Sequence, residues 1–517
     1  MEFRDGKYFV KIPFYSNVEE VPENFDNAMA LTDRVHQSLQ QKNLVEKYSA
    51  VFQQQVNDGI IEEIDLSVSK RRVFIPHHPV IKTDEQTTTK IRPVFNCSFK
   101  TTDSPSLNDA CFPGVNLLTN MTSLLQRFRT NKFMMMADIE RAFLQVHLKY
   151  ESDQDHFCFL WKTEEGVKAY RFKTILFGLN ASPFILNHIL QLHLQRFRET
   201  EAISALKQSL YVDNFLYTSS DLDKLTDIYH ESIKILKEGG FNLRSWKSNH
   251  PTMLNTMDSE GTLHSHSSSS EKTLGYLYDT KTDTMSLADV HFDDSRRLTK
   301  RRLLSSVSRV FDPLALTLPV TIRGRILMKQ AWDEGTDWDE EVSSEVKAVW
   351  AKLRVDLEAL QSLTFPRQAA DLESDDPITL HVFCDGSRSC YGVACYIKQG
   401  EKTSLVYSHS KLAPDKKSIP QTELLAVLMA LDCVSTISTS LNVKPDDVFV
   451  WCDAQVVLEW LHSGTKTKSR FTINRLKTAQ QKKKDLETLL NCEVTFRSGL
   501  YTTQIFGESI QNEFFKN

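Results

Sequence analysis

The chain has 517 residues, too many for one hydrophobic core and suited to about three or four folded units. It is 41% hydrophobic and 25% charged with a formal net charge of −5, which excludes a global cationic field and confines any polyanion site to a local patch. Nine cysteines without a C-x-x-C pair, no signal-like N-terminus and no unbroken apolar run of membrane length together predict free thiols, a cytoplasmic setting and no membrane partner.

Residues 1–25 read as an extended lead-in with Pro13, Pro22 and a short apolar run at Tyr8, Phe9 and Val10. Two amphipathic helices follow: Ala28, Leu31, Val35 and Leu39 share a face, then Leu44, Tyr48, Val51, Phe52 and Val56, with Gly59 as the stop. Strands are predicted over 73–75, 79–81 and 91–95, with a polar turn over 83–90, a loop over 105–109 and a helix over 116–129. The apolar run 132–138 predicts a buried strand that ends in an acid, Asp138. Ser182 as N-cap and Pro183 as first helical residue open a helix to about 198. Next come Leu210, Val212, Phe215 and Tyr217 around Asp213-Asn214, a pair suited to the tip of a tight hairpin. A helix over 221–238 closes on Gly239-Gly240, and 258–272 is a polar loop. Arg296, Arg297, Lys300, Arg301 and Arg302 form a cationic cluster ahead of helical blocks beginning at Leu303 and covering 319–332 and 342–361. The acidic stretch 366–377 reads as a linker, after which the pattern changes to strand, strand, helix, strand, helix.

A hairpin carboxylate such as Asp213 is a turn residue or a metal ligand. Asp138 and Asp213, far apart in sequence, could meet on one sheet, where converging carboxylates hold two divalent ions about 4 Å apart. Phosphoryl transfer requires little beyond that clamp and good positioning.

Several segments, in order, resemble the polymerase region of a BEL/Pao-type LTR retrotransposon over nearly the whole chain. Met136-Ala-Asp-Ile-Glu-Arg-Ala-Phe143 resembles the first catalytic motif of reverse transcriptases, Leu176-Phe-Gly-Leu-Asn-Ala-Ser-Pro183 their template-side motif, and Tyr211-Val-Asp-Asn214 their Tyr-x-Asp-Asp hairpin. Arg92-Pro-Val-Phe-Asn96, Ser106-Leu-Asn-Asp109, Gly240-Phe-Asn-Leu-Arg-Ser-Trp-Lys-Ser-Asn249 and Arg309-Val-Phe-Asp-Pro-Leu314 resemble segments of this element group. The resemblance implies that Asp138 and Asp213 are catalytic metal ligands with Asn214 beside them, and that Phe143 selects deoxynucleotides. It also implies that Arg92 binds triphosphate oxygens, that Phe177 and Gly178 line the base-pair pocket, and that Lys247 is a candidate general acid. Leu274-Gly-Tyr276 would grip the primer end. Asn214 stands where the family has a second acid; an amide keeps an oxygen but drops a charge, so slower polymerisation on an intact fold is expected.

Past the linker, Asp385-Gly-Ser387, Glu423 in a first helical turn and Asp453 at a strand end have the order of an RNase H domain. The resemblance makes Asp385, Glu423 and Asp453 catalytic metal ligands that hydrolyse the RNA strand of an RNA–DNA hybrid. The family's fourth acid has no match in the closing segment, where only Glu508 and Glu513 follow Glu493. The basic residues Arg296, Arg297, Lys300, Arg301 and Arg302 are either a solvated helix face or contacts to nucleic acid between the two sites.

The expected fold is an α+β polymerase right hand (fingers, palm, thumb) followed by an α/β RNase H-like domain. Its divisions are 1–130 lead-in and fingers, 131–280 palm, 281–365 helical thumb or connection, 366–377 linker and 378–517 RNase H-like domain. The expected cofactor is Mg²⁺ (or Mn²⁺), and the expected partners are an RNA template, a DNA primer, an RNA–DNA hybrid and dNTP, in the cytoplasm or within element-derived particles. The second reading is an element relic that binds nucleic acid without catalysis, resting on Asn214 and the unmatched C-terminal segment.

Overall fold

The structure is a computed structural model that describes residues 1–81, 91–101, 104–262, 270–288, 290–292, 296–464 and 469–498. The expected turn 83–90 and the segment carrying Glu508 and Glu513 lie outside the described residues.

The lead-in is more structured than its prolines suggest. Glu2–Arg4 and Lys7–Val10 form an antiparallel hairpin whose second strand pairs in parallel with Val146–Leu148. Buried Tyr8 anchors it, with its hydroxyl 2.9 Å from His193 Nδ1. Helices Phe25–Gln41 and Val45–Asn57 follow as expected, and Tyr48 and Phe52 pack against His77, Phe159 and Trp161. This aromatic core supports a sheet of Ile61–Ile64, Gly166–Phe172 and Cys158–Thr163 and the hairpin His77–Ile81 with Ile91–Phe95.

The central sheet comprises β1 (Phe133–Ile139), β2 (Leu210–Tyr211), β3 (Asn214–Ser219) and β4 (Leu243–Ser248), in the order β2-β3-β1-β4. All its pairings are antiparallel. Alternation along β1 explains its all-apolar run: Met135, Ala137 and Ile139 enter the main core, whereas Met134 and Met136 face a second core built with the helices beyond residue 300. The helix expected over 116–129 is Met121–Phe128, capped by Asn120, which accepts from Ser123 N. The helix expected to start from a Ser182 cap has Ala181 at that position; the Ser182 hydroxyl instead donates to Leu176 O at 2.7 Å, tying the preceding loop to the helix.

Helices Lys300–Val307, Leu318–Asp333 and Ser344–Ala359 form the next layer, beside a sheet of Ser270–Thr273, Tyr276–Asp279, Thr284–Leu287 and Thr364–Pro366. The last unit has β5 (Ile378–Gly386), β6 (Cys390–Gln399), β7 (Lys402–Leu412), β8 (Asp447–Cys452) and β9 (Val494–Ser498), in the order β7-β6-β5-β8-β9. β5, β6 and β7 are antiparallel; β8 and β9 join in parallel. Helix α1 (Ile419–Leu441) is long and apolar enough to cross a membrane, with mean hydropathy 1.8, but two thirds of that window is buried and it fills this unit's core.

The segment 366–377 is not a solvated linker. Arg367 is fully buried, pairs with Asp283 at 2.7 Å and donates to the carbonyls of Phe128, Thr130, Asn131 and Lys132. Asp371 and Glu373 accept from Ser219 and Ser220 at the end of β3. Polar residues that read as hydrated are instead the hydrogen-bond partners of exposed strand and helix ends. Arg129 continues this seam, reaching Pro366 O and Leu405 O of β7.

Candidate active sites

Register assembles the first site. Asn214 of β3 lies directly opposite Asp138 of β1, and Ile139 N donates to Asp213 O at 2.7 Å. Tyr211 pairs with Asn214, so the turn residues are Val212 and Asp213. The left-handed residue is therefore Val212, with φ 56°, and not the Asx pair. A β-branched residue there stores strain, as do Arg141 at φ 48° just after β1 and Ser245 at φ 56° on β4. Strained backbone thus surrounds Asp138 on three segments.

Burial pushes the Asp213 carboxyl above its ordinary range and the Asp138 charge adds to this, against a backbone hydrogen bond and the charge of Arg92. The Asn214 amide donates to Asp213 Oδ1 at 3.1 Å. Arg92, on the hairpin strand Ile91–Phe95, is thereby placed within the field of the carboxylates.

The structure separates Lys247 from this group. Ser245 sits in a bulge between Arg244 and Lys247. The bulge leaves Arg244 opposite Asp138 and Lys247 opposite Met136. Lys247 is 7% exposed and ion-paired with Glu271 at 2.7 Å. Arg244 is the cation that reaches the site, with Nε 3.2 Å from Asp138 Oδ2 and Nη1 3.0 Å from Glu140 Oε1. Arg244 and Glu140 both lie inside segments singled out above, but no sequence signal reveals the bulge that aims Arg244.

The residues expected on the nucleotide side lie together. The Phe143 and Phe177 rings meet edge to face at 4.5 Å, with Phe143 buried and Phe177 48% exposed. Gly178 has φ 107°, and a Cβ there would lie 2.3 Å from Phe95 O, so glycine permits the contact with the Arg92 strand. Asn108 locks the loop, donating to Gly178 O at 3.0 Å and accepting from Asn180 N at 2.9 Å. Leu274-Gly-Tyr276 packs on the segment 309–314: the Tyr276 hydroxyl bonds Asp312 and accepts from Leu314 N.

The cationic cluster is not one surface. Lys300 is 6% exposed, 5.0 Å above the Trp332 ring and 5.9 Å from Trp338, so it is corrected from a nucleic-acid contact to a buried cation–π residue. Arg301 forks onto Asp339 at 2.8 and 2.9 Å, and Arg302 donates to Arg297 O at 3.2 Å. Arg296 and Arg297 are exposed.

The second site lies where β5 and β8 end beside the first turns of α1. Cys384 pairs with Cys452 in parallel register, so Asp385 and Asp453 leave adjacent strand ends. A Cβ on Gly386 would sit 2.6 Å from Glu423 N; the bare glycine lets α1 close on β5 and brings Glu423 to Asp385. Burial first, then the charges of Asp385, Cys452 and Asp453, raise the Glu423 carboxyl to about 9. Asp453 is raised by burial and by Asp385. Glu423 Oε2 is buried with no hydrogen-bond partner among the described residues. Repelling carboxyls with an orphaned buried oxygen fit a divalent cation. Asp138 and Asp213 fit one for the same electrostatic reason.

Two family models match, in order. Residues 76–277 match the reverse transcriptase (RNA-dependent DNA polymerase) family and 299–454 match the Pao retrotransposon-like RNaseH-like domain. Residues 76–277 thus form a reverse transcriptase unit and 299–454 an RNase H-like unit of the Pao retrotransposon type. Both families use divalent metals. Among solved structures it is similar to the foamy viral protease-reverse transcriptase in complex with double-stranded DNA: 15% identity over 86% of this chain and 67% of that one, TM-score 0.54. A foamy viral protease-reverse transcriptase in complex with RNA/DNA hybrid gives 14% over 95% of this chain and 56% of that one, TM-score 0.51. These likenesses show the fold: a right-hand polymerase followed by an RNase H-like domain. No curated protein matches the chain.

Proposed function

We propose that this chain copies an RNA template into DNA from a DNA primer and dNTP, then hydrolyses the RNA strand of the resulting hybrid, with Mg²⁺ at both sites. The pairing of Asp138 with Asn214, which carries Asp213 to the same sheet end, is the observation that supports it most. Asp138 and Asp213 would hold the ions of the polymerase site; Asp385, Glu423 and Asp453 would hold those of the nuclease site. Bound there, Mg²⁺ supplies charge neutralisation and a lowered pKa for the attacking hydroxyl or water.

The chain's own residues do the rest. Asn214 orients the Asp213 carboxylate through its amide. The Arg92 guanidinium offers a fork of donors to triphosphate oxygens. Buried Phe143, braced by Phe177, presents a ring edge that excludes a ribose 2′-hydroxyl. Gly178 lets the template-side loop approach without a side chain between. The exposed Arg296 and Arg297 contact phosphate through long-range charge. At the nuclease site, closure of α1 on Gly386 holds buried Glu423 against the exposed Asp385.

The test is a labelled RNA–DNA hybrid and a primed RNA template assayed with the full chain in Mg²⁺. Extension lost in Asp138→Asn and RNA release lost in Asp385→Asn are expected. RNA release undiminished in Asp385→Asn would refute the nuclease assignment.

A further inference from the structure

Among the described residues, one group of His, Cys, Asp or Glu side chains has ligand atoms all within 4.8 Å of one another: Glu423, Cys452 and Asp453. We propose that this group is a second, thiophilic metal site that takes a divalent ion of the zinc and cadmium class and competes with the ion of the nuclease site. The inference rests on the reading of Glu423 and Asp453 as metal-holding carboxylates.

Three observations carry it. First, the set is compact: ligands bound at about 2.0–2.3 Å lie no farther apart than roughly 4.6 Å, and ligand atoms within 4.8 Å of one another reach that with shifts of a few tenths of an ångström. Second, Glu423 is 5% exposed, and its Oε2 has no hydrogen-bond partner among the described residues. Third, the ligand set changes character when Cys452 replaces Asp385. Asp385, Glu423 and Asp453 are all oxygen donors and suit a hard ion. Glu423, Cys452 and Asp453 include a soft sulfur donor and suit a thiophilic one.

The β8 strand puts the thiol there. Cys452 is the last residue of β8, opposite Cys384, and it is buried on the face that α1 covers. Asp453, next in the chain, is exposed. A single ion can therefore reach the buried thiol and carboxyl from the side on which Asp453 meets solvent. Binding exchanges the Sγ–H bond for an Sγ–metal bond, and the proton leaves to bulk water; nothing is oxidised or reduced. Because Glu423 and Asp453 belong to both sets, the soft ion and Mg²⁺ exclude each other.

The test titrates the metal-free full chain with cadmium chloride and follows the ultraviolet thiolate-to-cadmium charge-transfer band, a readout independent of nuclease activity. The unmodified chain and Cys492→Ser, which removes a half-buried thiol beside Asp447 at the opposite end of β8 from Cys452, are expected to share one tight binding step. Cys452→Ser is expected to weaken that step at least ~10-fold. Asp453→Asn, an exposed change that keeps every thiol, is expected to weaken it several-fold, which covers the case that Cys452→Ser disturbs folding. Millimolar Mg²⁺ is expected to shift the cadmium midpoint upward. An unchanged step in both Cys452→Ser and Asp453→Asn overturns the site. Hybrid hydrolysis in Mg²⁺ without cadmium is measured beside it: its absence counts against the nuclease reading, while a tight step that depends on Cys452 and Asp453 still upholds the soft-metal site.

Discussion

Asp138 and Asn214 face each other across adjacent antiparallel strands, and the Asn214 amide donates to Asp213 at 3.1 Å. The amide therefore spaces two carboxylates that already repel. In Asn214→Asp, like charges stand directly opposite each other, at a cost of up to about 1 kcal/mol in metal-free buffer. Saturating Mg²⁺ turns the added charge to advantage, so extension becomes several-fold faster and the melting temperature recovers. Thermal melts with and without Mg²⁺, paired with extension rates, check this; equal melting of both proteins in both buffers would contradict it.

Arg244 and Lys247 lie three residues apart but on different duties. Arg244 neutralises Asp138, so Arg244→Gln is expected to lower the Mg²⁺ concentration for half-maximal extension about three-fold or more. Lys247 is buried and paired with the half-exposed Glu271, so Lys247→Gln is expected chiefly to lower the melting temperature modestly, through the lost ion pair and packing. Mg²⁺ titrations of the two variants separate these roles.

Glu423 gives the nuclease unit a pH signature. Its carboxyl is held at about 9 in the folded chain, against 4.5 for an ordinary glutamate. Between those values the folded state binds a proton that the unfolded chain has released, so metal-free stability falls as pH rises from about 4.5 to about 9. Divalent metal displaces that proton, and metal affinity rises over the same window. Melting curves of Glu423→Gln, which cannot titrate, are expected to be flatter than those of the unmodified chain across this range.

Arg367 pins the segment that joins the two catalytic units to the polymerase core. It is fully buried on four backbone carbonyls and Asp283, so Arg367→Met leaves those acceptors and one carboxylate without partners. A loss of about 3–5 kcal/mol is expected. Chemical denaturation measured at the polymerase and nuclease units together reads it.

Local signals made much of this legible. The apolar run ending in Asp138, the Asp-Gly pair that ends β5 and the acid just past β8 each announced a strand that delivers a carboxylate. What stayed hidden depended on pairing. The bulge at Ser245 decides that Arg244 and not Lys247 meets Asp138, and register shifts leave no compositional trace. The N-terminal hairpin closes on a strand more than a hundred residues away. Polar composition misled at 366–377 and at Lys300, where charge is consumed by buried backbone carbonyls and by two tryptophan rings. The hairpin around Tyr-Val-Asp-Asn was legible, but its turn is Val212-Asp213, one residue earlier than the Asx pair, and the left-handed backbone falls on Val212.

The most direct measurement is extension of a DNA primer on an RNA template by the full chain in Mg²⁺. Extension that disappears in Asp138→Asn, while that variant retains the unmodified melting temperature, is the expected result. No extension by the unmodified chain, with salt-sensitive duplex binding intact, would contradict it and leave a nucleic-acid-binding relic.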